Sequence, residues 1–227
     1  MSILRTVDIP CPTCRTAVSF ELIISVNADR RPDMRQAILE RTFQKQVCPA
    51  CGHLFRVEPE LTYLHIAQGL FVAVWPGSKL AQWKEYEERS RLAFDKAWGA
   101  AAPPEARAVG ARLRARVVFG WPALSEKILA AQAGIDDRTL ELAKIGVLRS
   151  LDAAPVAGDN EMRLLRVTDE QLVLGWVGTR SERVIEVVTA PRALIAEIEA
   201  APQPWAALQE EVASGLFVDM QRALLAA

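Results

Sequence analysis

Cys11-Pro12-Thr13-Cys14, near the start of the chain, is answered by Cys48-Pro49-Ala50-Cys51-Gly52, and these are the only four cysteines in 227 residues. Two Cys-x-x-Cys pairs with none left over match the ligand count of one tetrahedral metal site. Two intervening residues let one tight turn deliver both sulfurs to the same ion. Pro12 and Pro49 fix φ at the second position of each turn, which meets part of the ordering entropy in advance. Gly52 stands where a positive φ lets backbone N–H groups approach the sulfurs. Cys11, Cys14, Cys48 and Cys51 are therefore read as the metal ligands, with Zn2+ as the cofactor. A Cys-Pro-x-Cys pair also suits thiol–disulfide exchange, which stays open as the second reading.

The pairs are separated by residues 15–47, longer than a simple ribbon needs, so folded chain must lie between them. Residues 18–26 read as a strand by their β-branched and aromatic content, and 27–32 as a loop. Residues 34–40 read as a short helix started by Pro32 with Asp33 near its N-terminus, and 42–47 as a returning strand. Lengthening the loop between the ligand pairs adds little closure entropy, so the insert does not weaken the metal reading. His53 and His65 are the only histidines. The four cysteines already complete the shell, so His53 is expected as a partly exposed side chain and His65 as a packed strand residue.

By Gly52 the chain resembles the CpXC family, bacterial and archaeal proteins named for paired Cys-Pro-x-Cys motifs. The resemblance rests on Cys11 to Cys14 and Cys48 to Gly52. Val26-Asn27, the helix between the knuckles, Tyr63, Trp75-Pro76, Leu124 to Ile128 and Gly134 to Arg138 are also similar. It implies metal binding by the four cysteines and brings no assigned activity with it. The knuckles are similar to rubredoxin-type iron sites too, which makes Fe the alternative metal. Those sites sit in an aromatic core, whereas Phe20 and Phe43 are the only aromatics between these knuckles.

Composition bounds the class. A chain that is 51% hydrophobic and 24% charged is an ordinary folded protein. No apolar run is long enough to span a membrane, and residues 1–8 lack the pattern of a secretion signal. With cysteines used for metal, a cytoplasmic location is expected. The net charge is −1, and residues 1–78 carry eight Lys or Arg against seven Asp or Glu. That balance is a poor footprint for phosphate binding, so nucleic acid is the weaker partner hypothesis.

The expected fold class is α+β. It begins with a zinc-ribbon-like β domain with an inserted helix over 1–78, followed by a helix and linker over 79–120. An α+β domain over 121–227 completes it, an antiparallel sheet covered by helices. Residues 54–58, 61–66 and 70–75 read as a three-strand meander with a turn at 67–69. Residues 80–98 read as a helix with Trp83, Tyr86 and Phe94 partly on one face, and 99–105 as the linker. Arg107, Arg112, Arg114 and Arg116 read as a solvated face, with an anion-binding patch as the sharper alternative. Pro122 starts a helix that Gly134 closes, and Asp136 caps a second helix running to about Leu151. Asp136, Asp137, Arg138 and Glu141 could form an acid cluster, but capping and dipole effects explain them more simply. A loop is expected over 155–160, then strands over 164–168, 172–177 and 183–188, and a helix opened by Pro191. From Trp205 to the end the pattern is interrupted at Gly215.

No phosphate loop, dinucleotide fingerprint, His-Glu-x-x-His or Gly-x-Ser-x-Gly is present. A closed four-thiolate shell has no open position for activating water. The expected function is a non-catalytic zinc protein, a structural site in a protein-interaction or regulatory module with an unidentified protein partner. A nucleic-acid-binding ribbon and a rubredoxin-like electron carrier are the alternatives.

Overall fold

The computed structural model describes residues 4–153 and 159–226. Strands β1 (Leu4–Pro10) and β2 (Ala17–Ile23) form an antiparallel hairpin, as do β4 (Lys45–Val47) and β5 (Leu54–Arg56). Helix α1 (Pro32–Leu39) lies between them in sequence, with proline in its first turn as expected. The single strand expected over 18–26 is two strands, because the chain changes sheets there. After Ile23 it leaves β1, and β3 (Ser25–Asn27) pairs in parallel with β6 (Leu61–His65).

The sheet continues from β6 to β7 (Leu70–Trp75), antiparallel, and from β7 to β8 (Arg114–Phe119), parallel. The meander expected over 54–75 is corrected accordingly. Strand β5 pairs with β4, and β6–β7 is the central hairpin of a mixed four-stranded sheet. Strand β8 falls in the arginine-rich stretch, where no clean alternation of apolar and polar residues marks a strand. A parallel edge strand joined through helices leaves no turn signature beside it.

The alternation along β7 and β8 decides what covers each face. Leu70, Val72 and Val74 join Val118 on the face packed by α1 and by Trp121, Leu124 and Ile128 of α4 (Trp121–Gln132). Phe71, Ala73, Ala115, Val117 and Phe119 join the opposite face, packed by Tyr86 and Phe94 of α2 (Trp83–Trp98) and by Phe217. Strand β7 is apolar throughout because both its faces are covered. Trp83, Tyr86 and Phe94 each make an aromatic contact inside this chain, with Phe217, Trp75 and Phe71. Residues 99–103 connect α2 to the short α3 (Pro104–Gly110), and Ala102 is buried.

Helix α5 (Asp137–Ser150) starts at Asp136, whose side chain accepts from the Arg138 N–H at 2.9 Å, the expected cap. Gly134 has φ +69, and the Ile135 N–H bonds the Ala130 carbonyl, so α4 ends in the glycine-closed motif that the sequence suggested. The second sheet is antiparallel, ordered β11 (Val184–Pro191), β10 (Gln171–Gly178), β9 (Asn160–Val167). Its apolar side faces α5, α6 (Ala193–Ala200) and α7 (Ala206–Ala213), where Leu140, Leu164, Leu174, Ile198 and Val212 share one core. Pro191 ends β11 and does not open α6. Of the loop expected over 155–160, residues 155–158 lie outside the described residues, and Asn160 already belongs to β9. A last helix, α8, spans Gln221–Ala226.

Candidate metal centre

Each cysteine pair sits in the turn of a hairpin, Cys11–Cys14 between β1 and β2 and Cys48–Cys51 between β4 and β5. The two turns are built alike. The N–H of Cys11 bonds the carbonyl of Thr16, and the N–H of Cys48 bonds that of His53. The carbonyl of Cys11 accepts from Arg15, and that of Cys48 from Gly52. The residue four places on then turns left-handed, at φ 63 for Arg15 and φ 70 for Gly52. Glycine was the legible half of this symmetry. Arg15 carries the same backbone without glycine's freedom, and nothing in its type announces it.

The four sulfurs converge, all lying within 4.8 Å of one another. Cys11 Sγ is 3.7 Å from Cys51 Sγ, and Cys14 Sγ is 3.6 Å from Cys48 Sγ. A tetrahedron with metal–sulfur bonds of about 2.3 Å has sulfur–sulfur edges of about 3.8 Å. The donor set therefore fits a tetrahedral ion, and the two close pairs join one turn to the other. None of the four is in a disulfide. Cys11 and Cys48 are buried beside Val18 and Phe55, while Cys14 and Cys51 face outward.

Crowding sets the acidities. Cys14 is drawn down to about 6, first by the Thr16 hydroxyl at 3.3 Å and next by a backbone N–H. Cys11 is lowered, chiefly by the N–H of Cys14. At Cys51 the His53 N–H acts to lower the thiol, but desolvation and three neighbouring sulfurs outweigh it and push it up to about 12. Four thiolates this close repel one another, and a divalent cation removes that repulsion by direct coordination.

His53 is exposed and stacks on Phe55 at 6.3 Å, outside the sulfur set. His65 is buried, with Nε2 3.8 Å from Asp29 Oδ1, and burial holds its pKa down. Among the described residues, the cysteines are the one group of three or more His, Cys, Asp or Glu side chains placed to hold an ion.

The other candidates disperse or acquire partners. Asp136 caps α5 from the surface, whereas Asp137 and Glu141 are buried among cations. Asp137 takes a two-pronged bond from Arg116 at 2.7 and 2.8 Å and lies 3.0 Å from Lys127. Glu141 meets Lys144 at 2.7 Å and accepts from the Met220 N–H at 2.9 Å. Glu126 lies between Lys144 and Arg163 at 3.0 and 2.9 Å, and Arg163 reaches Glu161 and Asp219. All these charged side chains are buried, and together they join α4, α5, β8, β9 and the segment before α8. The four-arginine face is thereby corrected at Arg116, which shares the inward side of β8 with Val118, while Arg107 and Arg112 are exposed. The charges at Asp137, Glu141 and Lys144, spaced four and then three residues apart on one helix face, are the signal in the sequence.

No curated protein and no solved structure matches the chain. The model of a family described as CpXC protein matches residues 9–144, taking in both cysteine turns, the mixed sheet, α4 and the first half of α5. Matched over more than half its length, with all four motif cysteines gathered at one point, the chain belongs to the CpXC family.

Proposed function

We propose that this is a non-catalytic zinc protein in which one ion, held by Cys11, Cys14, Cys48 and Cys51, fastens the β1–β2 hairpin to the β4–β5 hairpin. The observation that carries the reading is the sulfur geometry, with cross-turn contacts of 3.7 and 3.6 Å and no disulfide. Two hairpins, each bearing one cysteine turn, support the zinc-ribbon-like description. Zinc is favoured over iron because the surroundings are Val18 and Phe55 and not an aromatic shell. Four thiolates complete a tetrahedral shell, so the ion's part is structural. Free thiols used for metal suit the reducing cytoplasm, and no helix of the described residues is long and apolar enough to cross a membrane.

The hairpin also supports a role in protein interaction. Val47 and Leu54 are direct cross-strand partners flanking the second cysteine turn, and both are 54% exposed. An apolar pair held out to solvent by a metal-fastened turn is a contact surface for a protein partner. Elemental analysis of the purified chain tests the metal: one zinc per chain is expected, lost in Cys48→Ser. A coloured, iron-containing preparation would instead support the electron carrier, and a metal-free, fully folded chain would remove both readings. Capture of a partner by the intact chain and not by Val47→Asp, with zinc retained, tests the surface.

A further inference from the structure

A cleft of about 710 Å3 runs between the β4–β5 hairpin and the turn joining β10 to β11, with Pro12 and His53 of the two cysteine turns at its margin. Its size is that of a small-molecule site. Five cations line it, Arg41, Lys45, Arg56, Arg180 and Arg183, against two carboxylates, Glu58 and Glu182. The chain as a whole carries −1, so the excess is local.

The lining charges divide into two sets. Arg56 is nearly buried, lies 4.1 Å over the Trp121 ring, and donates to Glu182 at 2.6 Å. Arg41 donates to the Glu182 backbone carbonyl at 2.5 Å. Those two arginines are therefore committed to holding the β10–β11 turn against the hairpin side. Glu58 accepts from the Ser78 hydroxyl at 3.3 Å. Lys45, Arg180 and Arg183 are exposed, and their side chains make no hydrogen bond or ion pair among the described residues.

Exposed arginines in a turn are ordinary. What separates these is the backbone that presents them. Arg41, Gln44 and Glu182 take φ values of 60, 57 and 54, three of the four left-handed non-glycine residues among those described. All three lie on the two segments that wall the cleft. Non-glycine residues held in that region cost free energy, and such strain persists where surrounding contacts over-determine it. Arg41 bonds the Glu182 carbonyl and Arg56 the Glu182 carboxylate, while Gln44 accepts from the N–H groups of Ile23 and Val57, and both fixed segments bring uncommitted cations to one cleft.

We propose that this cleft binds a small diphosphate-bearing anion, with Lys45 contributing from one wall and Arg180 and Arg183 from the other. A diphosphate presents several oxygens on two adjacent centres, which suits two guanidinium forks and an ammonium placed on opposite walls. Inorganic diphosphate and a nucleoside diphosphate share that chemistry. The site is independent of which metal the cysteines hold, and it goes beyond the structural reading of that ion.

Calorimetric titration of the full, metal-loaded chain with sodium pyrophosphate and separately with ADP distinguishes the sources. Saturable binding of either one is expected, weakened about tenfold or more for each guanidinium removed in Arg180→Ser and Arg183→Ser and unchanged in Arg107→Ser. Affinity for ADP well above that for pyrophosphate would make the ligand a nucleotide, and equal affinity would make it the inorganic anion. Arg180 and Arg183 are exposed, so their variants should melt like the parent, and a melt taken alongside separates lost binding from lost folding. Absence of binding by both anions, an equal loss in Arg107→Ser, or binding of a glutamate-rich peptide in their place would overturn the proposal.

Discussion

Replacing Glu141 by glutamine tests the buried charges at the point where their balance is least settled. Glu141 faces Lys127 and Lys144 as cations, with Glu126 and Asp219 as neighbouring carboxylates, and it is fully buried. Desolvation is the largest influence on it, Lys144 opposes that, and the net effect raises its pKa from 4.5 to about 7. Glu126, held by Lys144 and Arg163, moves the other way, so it is the carboxylate that remains ionised. A carboxyl group raised in the folded state binds a proton there that the unfolded chain has released. Its contribution is fully present below pH 4.5 and is lost as the pH rises through about 7. The interval corresponds to about 3 kcal/mol. Glu161, also raised by burial, adds in the same direction, whereas Asp137 and Asp219 are lowered and contribute only as acid protonates them. Between pH 5 and pH 8, urea unfolding should therefore show the parent losing about 3 kcal/mol more stability than Glu141→Gln, which mimics the protonated acid; His65 and Cys14, both lowered, act in the opposite direction but alike in the two proteins. At pH 5 the variant should lie within about 1 kcal/mol of the parent, since the Met220 N–H keeps an acceptor. A variant that loses as much stability at pH 5 as at pH 8, or that keeps the parent's slope, would refute the reasoning.

Other substitutions follow from single contacts. Lys144→Met leaves Glu126 and Glu141 without their shared cation and should destabilise by about 3–5 kcal/mol in urea unfolding. Asp136→Ala removes the cap of α5 and should cost about 1 kcal/mol by the same measurement. Gly52→Ala meets no atom within 4 Å of the added carbon, so its cost should come from φ alone, about 1–2 kcal/mol. Arg15→Gly, at the equivalent place in the first turn, should not destabilise a chelator-treated chain by thermal melt. Strong chelator should detach the two cysteine hairpins first, seen as faster amide exchange in residues 4–23 and 45–56 while β7 and α5 stay protected.

The clustering of the four cysteines was legible in the linear order of residues because a candidate ligand set is found by counting. Four cysteines in two pairs admit few arrangements, and proline and glycine mark the turns that deliver them. The α5 cap and the close of α4 were legible too, since they depend on neighbours one to four places away, at Asp136 and Gly134. Helix α2 was readable as a helix, though its partners Phe71, Trp75 and Phe217 were not. Strand β8 and the inward turn of Arg116 escaped. A parallel edge strand is specified by its partner β7, and an arginine reads as surface until a carboxylate from another element is placed beside it.

By itself, then, the order of amino acids determined which atoms could bind a metal and where helices begin and end, because those outcomes are settled within a few bonds of the residues concerned. Only the tertiary structure decided that Asp137 and Glu141 serve a buried network, and that uncommitted cations gather between a cysteine hairpin and a turn more than a hundred residues away. Electrostatic energies depend on distance through space and on exclusion of water. Neither quantity exists until the chain has closed on itself.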